Sequence, residues 1–285
     1  VVTKISDLRV AHSESIAAFD VWLAKQNRVT HSQWQKRIKS TDSGTSEGAI
    51  AEAVVFDYLA CRCESVSLNE DPSTGGPDLL FEHHGHKFLV EVTNLSIETV
   101  TRSTGLTHHL DPQSGFQYYG LLTKNIYRKC RNKTPQVSRR NHPAVLFVTT
   151  LHFQASAICI GKLEACHFLW GTEKLSAPFD AESGETVGSV RNVTHFKNSV
   201  FFREDASFST RGICALIVGG FGLVPPDANI FGILHPKPPL SFDPSWIPHV
   251  EFARLSHEQL RAGQLVAEWV KFDLDGKSIA VNQSM

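Results

Sequence analysis

Two acidic residues, Asp78 and Glu91, stand near opposite ends of the segment GGPDLLFEHHGHKFLVEVTN, residues 75–94. The segment contains two apolar runs separated by HHGH. A two-residue loop at His84 and Gly85 is favoured because both residue types tolerate a positive φ. In such a hairpin Asp78 pairs with Glu91, with Cβ atoms about 4.5–5.5 Å apart. A four-residue loop gives the same pairing, whereas a loop with an odd number of residues breaks it.

The two facing carboxylates need a partner that offsets their repulsion. Like charges directly opposite each other destabilise a strand pair, and burial beside Val90 and Val92 would add a desolvation cost. A bound divalent cation relieves both effects, and hard oxygen ligands at this separation suit Mg²⁺ or Mn²⁺. The hairpin therefore predicts a metal site at Asp78 and Glu91. The alternative is an exposed edge hairpin whose charges point into water.

The composition limits the classes of protein to which the chain can belong. It has 285 residues, of which 41% are hydrophobic, and a formal net charge of -1. This length allows a sizeable core, and the nearly neutral charge means that nucleic acid would have to bind to local basic patches. The six cysteines are irregularly spaced, which does not fit a disulfide framework. Because the sequence has no charged-then-apolar leader and no apolar run of about 18 residues, we expect a cytoplasmic protein without a membrane partner.

Hydrophobic periodicity predicts helices and strands around the hairpin. Residues 14–26 have apolar groups at helical spacing, and a second helix starts near Ser46, which we take as its N-cap. A polar, basic segment lies between them, and a long polar loop follows the hairpin to about residue 115. Further helices are predicted at 116–133 and 256–271, and strands at 64–69, 144–150, 213–220 and 229–236. This order indicates an α/β fold.

The hairpin resembles the core signature of the PD-(D/E)xK nuclease superfamily. In that family a Pro-Asp pair opens one strand and an acid-x-Lys tripeptide lies on the next strand. Pro77-Asp78 and Glu91-Val92-Thr93 occupy those places here. The order of helix, strand, hairpin, helix and strand also agrees with the family. The resemblance implies a restriction-endonuclease-like mixed sheet flanked by helices.

The resemblance also implies the ligands of the metal. Asp78 and Glu91 would bind Mg²⁺ or Mn²⁺ directly, together with the backbone carbonyl of Val92. The family has an acidic residue on the preceding helix, and Glu52 matches it, so Glu52 would hold the metal directly or through water. Glu47 is the less favoured choice for that position.

Thr93 departs from the family pattern. The family has a lysine there, which orients the attacking water and stabilises charge on phosphorus. The Thr93 hydroxyl can hydrogen-bond a metal-bound water but cannot replace an ammonium group. Some members supply the lysine from a neighbouring element, and Lys124 on the following helix is the preferred candidate here. Lys87 is a weaker candidate, because it lies four residues before Glu91, roughly 13 Å along the strand.

A basic stretch, KNIYRKCRNKTPQVSRR at 124–140, follows the hairpin in this nearly neutral chain. Such a patch fits contacts to phosphates, which supply most sequence-independent affinity for nucleic acid. The alternative is a solvated helix face. The residues assigned to nucleic-acid binding are Arg128, Lys129, Arg131 and Lys133, and the stretch also contains Lys124, Arg139 and Arg140.

From these features we expect a divalent-metal-dependent nuclease that acts on DNA. The predicted organisation is a helical N-terminal appendage at 1–45 and a nuclease-like α/β domain at 46–285. The core motif lies in 46–150, and further strands and a helix lie in 151–285. Many relatives cut duplexes as dimers, so a homodimer is one expected assembly. The alternative function is a catalytically inactive nuclease-fold module that binds nucleic acid or a protein partner.

Overall fold

The computed structural model describes residues 4–281 apart from 70–78, 108–118, 138–140, 159–164, 167, 170, 179, 190, 197–198, 209–211, 223–229 and 257–265. The helices within the described residues are α1 (Ile5–Ala11), α2 (Ser13–Gln26), α3 (Arg28–Ile38), α4 (Ser43–Ala60), α5 (Ile97–Thr104), α6 (Tyr119–Val137) and α7 (Phe153–Ile158). The strands are β1 (Ser65–Leu68), β2 (Leu79–His83), β3 (His86–Leu95), β4 (Ala144–Thr150), β5 (Thr172–Ser176), β6 (Arg191–His195), β7 (Ala215–Gly220), β8 (Ile230–Leu234), β9 (Glu251–Leu255) and β10 (Ala267–Val270). Among these described helices, none combines the length and the apolar character needed to cross a membrane.

Eight of these strands form one mixed sheet, in the order β1-β2-β3-β4-β7-β8-β9-β10. β1, β2 and β3 are antiparallel neighbours, and β4 and β7 continue the sheet in parallel with β3. β8 is antiparallel to β7, β9 is parallel to β8, and β10 is antiparallel to β9. β5 and β6 form a separate antiparallel pair.

The side chains of β3 alternate between two apolar cores, one on each face of the sheet. Val90 and Val92 belong to the core that contains the buried side chains of α4. Leu89 and Leu95 belong to the other core, together with the buried side of α6. Because successive strand residues point to opposite faces, the sheet lies between α4 and α6. The α/β class predicted from the sequence is therefore confirmed.

α1, α2 and α3 pack on α4, on the α4 face of the sheet. Their buried side chains, including Phe19 and Trp34, belong to the same core as those of α4. The ring centroid of Phe19 is 5.2 Å from that of Trp34 and 5.0 Å from that of Phe56 on α4. The segment 1–45 is thus helical over most of its described length, and its last residues belong to α4.

The start of α4 differs from the predicted one. The helix begins at Ser43, and the N-cap is Asp42, whose side chain accepts a hydrogen bond from the Thr45 amide. Ser46 is buried inside the first turn, and its hydroxyl donates to the Ile38 carbonyl at 2.9 Å. The prediction that Ser46 is the N-cap is therefore wrong, because an acceptor four residues earlier takes that place.

Two polar segments for which the sequence pattern predicts no helix are helical. α3 occupies the polar, basic segment after α2, and its fully buried residues are only Trp34 and Ile38, which leaves little apolar periodicity to detect. α5 lies in the predicted loop after the hairpin. It starts after Ser96, whose side chain accepts a hydrogen bond from the Thr99 amide, and it ends at Thr104, just before Gly105, which has a φ of 77°.

The helix predicted at 256–271 is wrong where the structure describes it. Residues 267–270 form β10, which pairs with β9 in the register Ala267↔Leu255 to Val270↔Phe252. Residues 257–265 of that predicted helix lie outside the described residues. Residues 267–270 are a strand because they pair with β9. Pairing with another strand cannot be recognised from the local sequence pattern.

Candidate active site

The hairpin that carries the candidate carboxylates has the predicted turn and register. The two turn residues, at 84–85, have φ values of 49° and 74°, in the left-handed region that glycine and a few polar residues favour. β2 begins at Leu79, which pairs with Val90. This is the register from which Asp78 is predicted to lie opposite Glu91. Asp78 itself is outside the described residues, so that pairing stays a prediction.

Glu91 is a buried acidic residue in the middle of β3. Its side chain is 2% exposed, and it lies on the α6 face of the sheet between Leu89 and Thr93. Lys133 of α6 reaches it, because Nζ donates a hydrogen bond to Oε1 at 2.6 Å while the lysine side chain stays 31% exposed. A carboxylate at this depth needs a compensating charge or donor. The ion pair therefore links α6 to β3.

The lysine that the structure places beside Glu91 is Lys133, and not Lys124, which was the preferred candidate. Lys124 is exposed. The two lysines are nine positions apart, about two and a half turns of an α-helix, so they project from opposite sides of α6. Lys87, the weaker candidate, has its Nζ 3.7 Å from Oε2 of Glu82, near the hairpin turn.

Lys129 lies one helical turn before Lys133, on the same side of α6. α6 lies in the connection between the parallel strands β3 and β4, so it runs antiparallel to them. Lys129, one turn before Lys133, therefore lies further toward Thr93 along β3. Thr93 is buried on the α6 face. Burial lowers the pKa of Lys129, and the nearby charge of Lys133 lowers it further. A lysine in this environment gives up its proton more easily than an exposed one.

Glu52 lies on the other face of the sheet from Glu91. Its carboxylate accepts two hydrogen bonds from Arg37 of α3, at 3.0 and 2.5 Å, and its side chain is 17% exposed. It borders a cavity of about 130 Å³ that also contains Leu79 in its wall. The structure does not bring Glu52 to Glu91, and we leave it out of the proposed metal site.

Glu47, the less favoured acid of α4, is buried at the end of β3. Its side-chain Oε2 accepts a hydrogen bond from the Ile97 amide, at the start of α5, at 2.8 Å. Burial raises the pKa of Glu47, and hydrogen bonds from Ile97 and from Asn94 partly oppose the rise. Asn94 alternates with Glu91 along β3 and faces α4. Glu47 therefore joins α4, β3 and α5 on the face opposite to the candidate site.

The outer side of α6 is cationic. Lys124, Arg128 and Arg131 are exposed, and their spacing places them along one side of the helix. Lys129 and Lys133 are turned toward the sheet and are half-buried. α6 contains no acidic residue, so its exposed cations are suited to phosphate contacts. The two arginines at the end of the basic stretch lie outside the described residues.

Some of the residues predicted to bind a metal lie among the described residues. They contain no group of three or more His, Cys, Asp or Glu side chains placed to hold an ion. Glu91 offers one buried carboxylate and Val92 the adjacent backbone carbonyl, whereas Asp78, the second carboxylate, is outside the described residues. Oxygen donors of this kind fit a hard cation such as Mg²⁺.

Comparisons of the chain with models of known families, with curated proteins and with solved structures found no match. The functional interpretation of this chain therefore depends on its own residues, above all on the ion pair between β3 and α6.

Proposed function

We propose that the protein is a divalent-metal-dependent nuclease that hydrolyses phosphodiester bonds in DNA. The observation that carries this proposal is the buried carboxylate of Glu91, which has the Lys133 ammonium at 2.6 Å. Acidic residues are rarely buried to this extent without a partner, and buried, paired ionisable groups are concentrated at functional sites. Val90, the residue before Glu91, pairs with Leu79. Asp78, which the sequence predicts to pair with Glu91, would supply the second carboxylate of the metal site.

The order of elements around Glu91 supports the proposal. α4 is followed by antiparallel β1, β2 and β3, then by the short helix α5, by α6 and by the parallel strand β4, with α4 and α6 on opposite faces. Helix, three strands, helix and strand is the order implied by the resemblance to the PD-(D/E)xK superfamily. We therefore propose a restriction-endonuclease-like core at 46–150, which β7 to β10 extend into a wider sheet.

The proposed ligands of Mg²⁺ or Mn²⁺ are Asp78, Glu91 and the Val92 carbonyl. A bound divalent ion would lower the pKa of a water molecule and neutralise charge on phosphate oxygens. Lys133 fixes the orientation of the Glu91 carboxylate through the hydrogen bond to Oε1. Because the Lys133 side chain is also partly exposed, its ammonium can offer positive charge to a phosphate that approaches Glu91.

Lys129 and Thr93 suit the handling of protons on the same side of β3. The lowered pKa of Lys129 lets it take up or release a proton closer to neutral pH than an exposed lysine can. Thr93 lies two residues beyond Glu91, on the same face, and its hydroxyl can both donate and accept a hydrogen bond. We propose that Lys133 and Lys129 together take the role of the family lysine that Thr93 replaces.

Cleavage of supercoiled plasmid DNA tests this proposal. We expect the wild type to nick or linearise the plasmid with Mg²⁺ or Mn²⁺ and to stop when EDTA is added. Lys133→Met should slow cleavage by about 100-fold or more, because it removes a charge and a donor from the reacting region. Lys237→Met is the control, since it removes the same charge from an exposed position outside α6 and the hairpin, and we expect a change of less than about threefold.

Two outcomes of that assay would contradict the proposal. The first is a folded wild type that shows no metal-dependent cleavage of plasmid or of single-stranded DNA. The second is a Lys133→Met variant that cleaves as fast as the wild type, which would remove Lys133 from the chemistry.

One observation favours a catalytically inactive module that binds nucleic acid. The Lys133 ammonium already neutralises Glu91, and such a pair can have a structural role alone. In that case DNA would bind to the cationic side of α6, at Arg128 and Arg131, without being cut. Salt-dependent DNA binding by a wild type that lacks cleavage would select this second function.

A further inference from the structure

A second basic segment without acidic residues lies in the N-terminal helices. Between Asp20 and Asp42 the chain has five lysine and arginine residues and no Asp or Glu, although the net charge of the whole chain is -1. Most of this segment is α3. A concentration of one charge sign on a short helix repels itself, and an anionic partner would relieve that repulsion.

α3 has one anchored side and one open side. The ring of Trp34 is buried, and its Nε1 donates a hydrogen bond to the Ala49 carbonyl of α4 at 3.2 Å. Ile38 is buried one turn later, and the Asn27 side chain caps the start of the helix. The exposed side chains are those of Arg28, Val29, Ser32, Gln33, Lys36 and Lys39, the last just after the helix.

These exposed side chains occupy one arc of about 140° around the helix axis. Apart from one valine, all of them are cationic or can form hydrogen bonds. Within the described part of the chain, Arg28, Lys36 and Lys39 form no ion pair. The helix dipole favours Lys36 and Lys39 near the C-terminal end, but it disfavours Arg28 in the first turn. The dipole therefore does not account for the whole cationic arc.

α3 also borders the part of the sheet that carries the candidate site. The cavity of about 130 Å³ is lined by Gln33 and Arg37 of α3, by Leu68 at the end of β1, and by Leu79 at the start of β2. Leu79 pairs with the residue immediately before Glu91. β1 is the edge strand of the sheet on this side, so a polymer that reaches Glu91 on the α6 face by passing around this edge from the α4 face would lie close to α3.

We infer that the exposed side of α3 is a second DNA-contacting surface, which enters the major groove of the duplex bound at the candidate site. This inference rests on the proposed nuclease function. An α-helix with its side chains is about 10–12 Å wide, and the major groove of B-DNA is about 12 Å wide. Ser32 and Gln33 lie in the arc and can hydrogen-bond to base edges, since glutamine suits adenine. Arg28, Lys36 and Lys39 flank them and contact phosphates.

Binding of a short labelled DNA duplex, followed by fluorescence anisotropy in EDTA at several salt concentrations, tests α3 separately from cleavage. The test variant is Arg28→Gln/Lys36→Gln/Lys39→Gln. The control variant, Arg203→Gln/Lys237→Gln/Lys277→Gln, removes the same charge from exposed positions far from α3 in sequence. We expect the test variant to raise Kd by about tenfold or more and to reduce the slope of log K against log salt by about 2–3. The control should change Kd by less than about threefold and leave the slope unchanged.

The outcomes separate the inference from the proposed function. Equal binding by the two triple variants would overturn the role of α3, while plasmid cleavage by the wild type would leave the nuclease proposal intact. A wild type that binds duplex DNA but does not cut it would remove the nuclease function, and a selective loss of binding in the test variant would still support α3. A wild type that binds no duplex DNA would overturn the inference. Circular dichroism of all variants confirms that the helices are intact.

Discussion

Glu91, in the middle of β3, and Glu47, beside the end of β3 on the opposite face, are two buried carboxyl groups whose partners differ. Glu91 receives a hydrogen bond from an ammonium group, Lys133 Nζ, whereas Glu47 receives one from a backbone amide, that of Ile97. An opposite charge strongly favours the ionised carboxylate, while an amide offsets only part of the desolvation cost. This contrast is why we assign Glu91 to the proposed chemistry and Glu47 to the stability of the fold.

The raised pKa of Glu47 predicts how stability depends on pH. Between the unfolded value of 4.5 and the higher folded value, the folded protein binds more protons than the unfolded chain, so its free energy of unfolding falls as pH rises through that window. Glu47→Gln keeps an acceptor for the Ile97 amide and removes the titration. We therefore expect the variant to lose less stability than the wild type between about pH 4 and pH 8.

Urea denaturation of wild type and variant across that pH range measures the difference. Glu204→Gln, at an exposed position, is the control and should keep the pH dependence of the wild type. If Glu47→Gln and the wild type show the same pH dependence, the ionised form of Glu47 does not destabilise the fold.

The two elements that frame the site, the hairpin and α6, show which parts of it the sequence could predict. The hairpin follows from local turn chemistry at 84–85, and its register is confirmed from Leu79 to the turn. The facing lysine of α6 was missed, although a signal for it exists. Ile126 and Cys130 are apolar at helical spacing and are buried, and Lys133 follows Cys130 by three positions. Extending that apolar stripe would have selected Lys133 over Lys124.

Other elements could not be found in this way. α3 has only two buried residues, Trp34 and Ile38, so it shows almost no apolar periodicity. Its packing against α2 and α4 depends mainly on Trp34. β10 is a strand because β9 is beside it. The ion pair of Glu52 could not be predicted from the sequence either, since its partner Arg37 lies on α3, a helix that the sequence pattern does not predict.

The positive φ of Gly85 predicts that the hairpin turn is sensitive to an added side chain. Gly85 has a φ of 74°, and a Cβ added there would meet no atom within 4 Å. Gly85→Ala should therefore lower the free energy of unfolding by about 1–2 kcal/mol through backbone strain alone. Gly120→Ala is the matched control in the first turn of α6, where the added Cβ also meets open space, and it should be neutral or stabilising by up to about 1 kcal/mol. Urea denaturation measures both, and a Gly85→Ala variant as stable as the wild type would contradict the strained turn.

Across the whole molecule, a nearly neutral chain gathers positive charge on two helices. α3 and α6 contain no acidic residue, and they lie on opposite faces of the sheet. Between them lies β3, which carries Glu91. In a protein with a net charge of -1, such separation of charge concentrates a positive potential locally. We expect DNA to be bound along this edge, with the carboxylates at its centre.

The proposed metal site makes a prediction that does not depend on finding the right substrate. Calorimetric titration of the metal-free protein with Mn²⁺ should show one site in the wild type. Asp78→Asn should abolish that site and leave the metal-free protein equally stable or more stable, because repulsion between facing carboxylates disappears. Glu82→Gln, which removes a charge from the same hairpin at a position paired with Lys87, should keep the site. A wild type that binds no divalent ion, or an Asp78→Asn variant that binds Mn²⁺ as well as the wild type does, would contradict the metal-dependent site at Asp78 and Glu91.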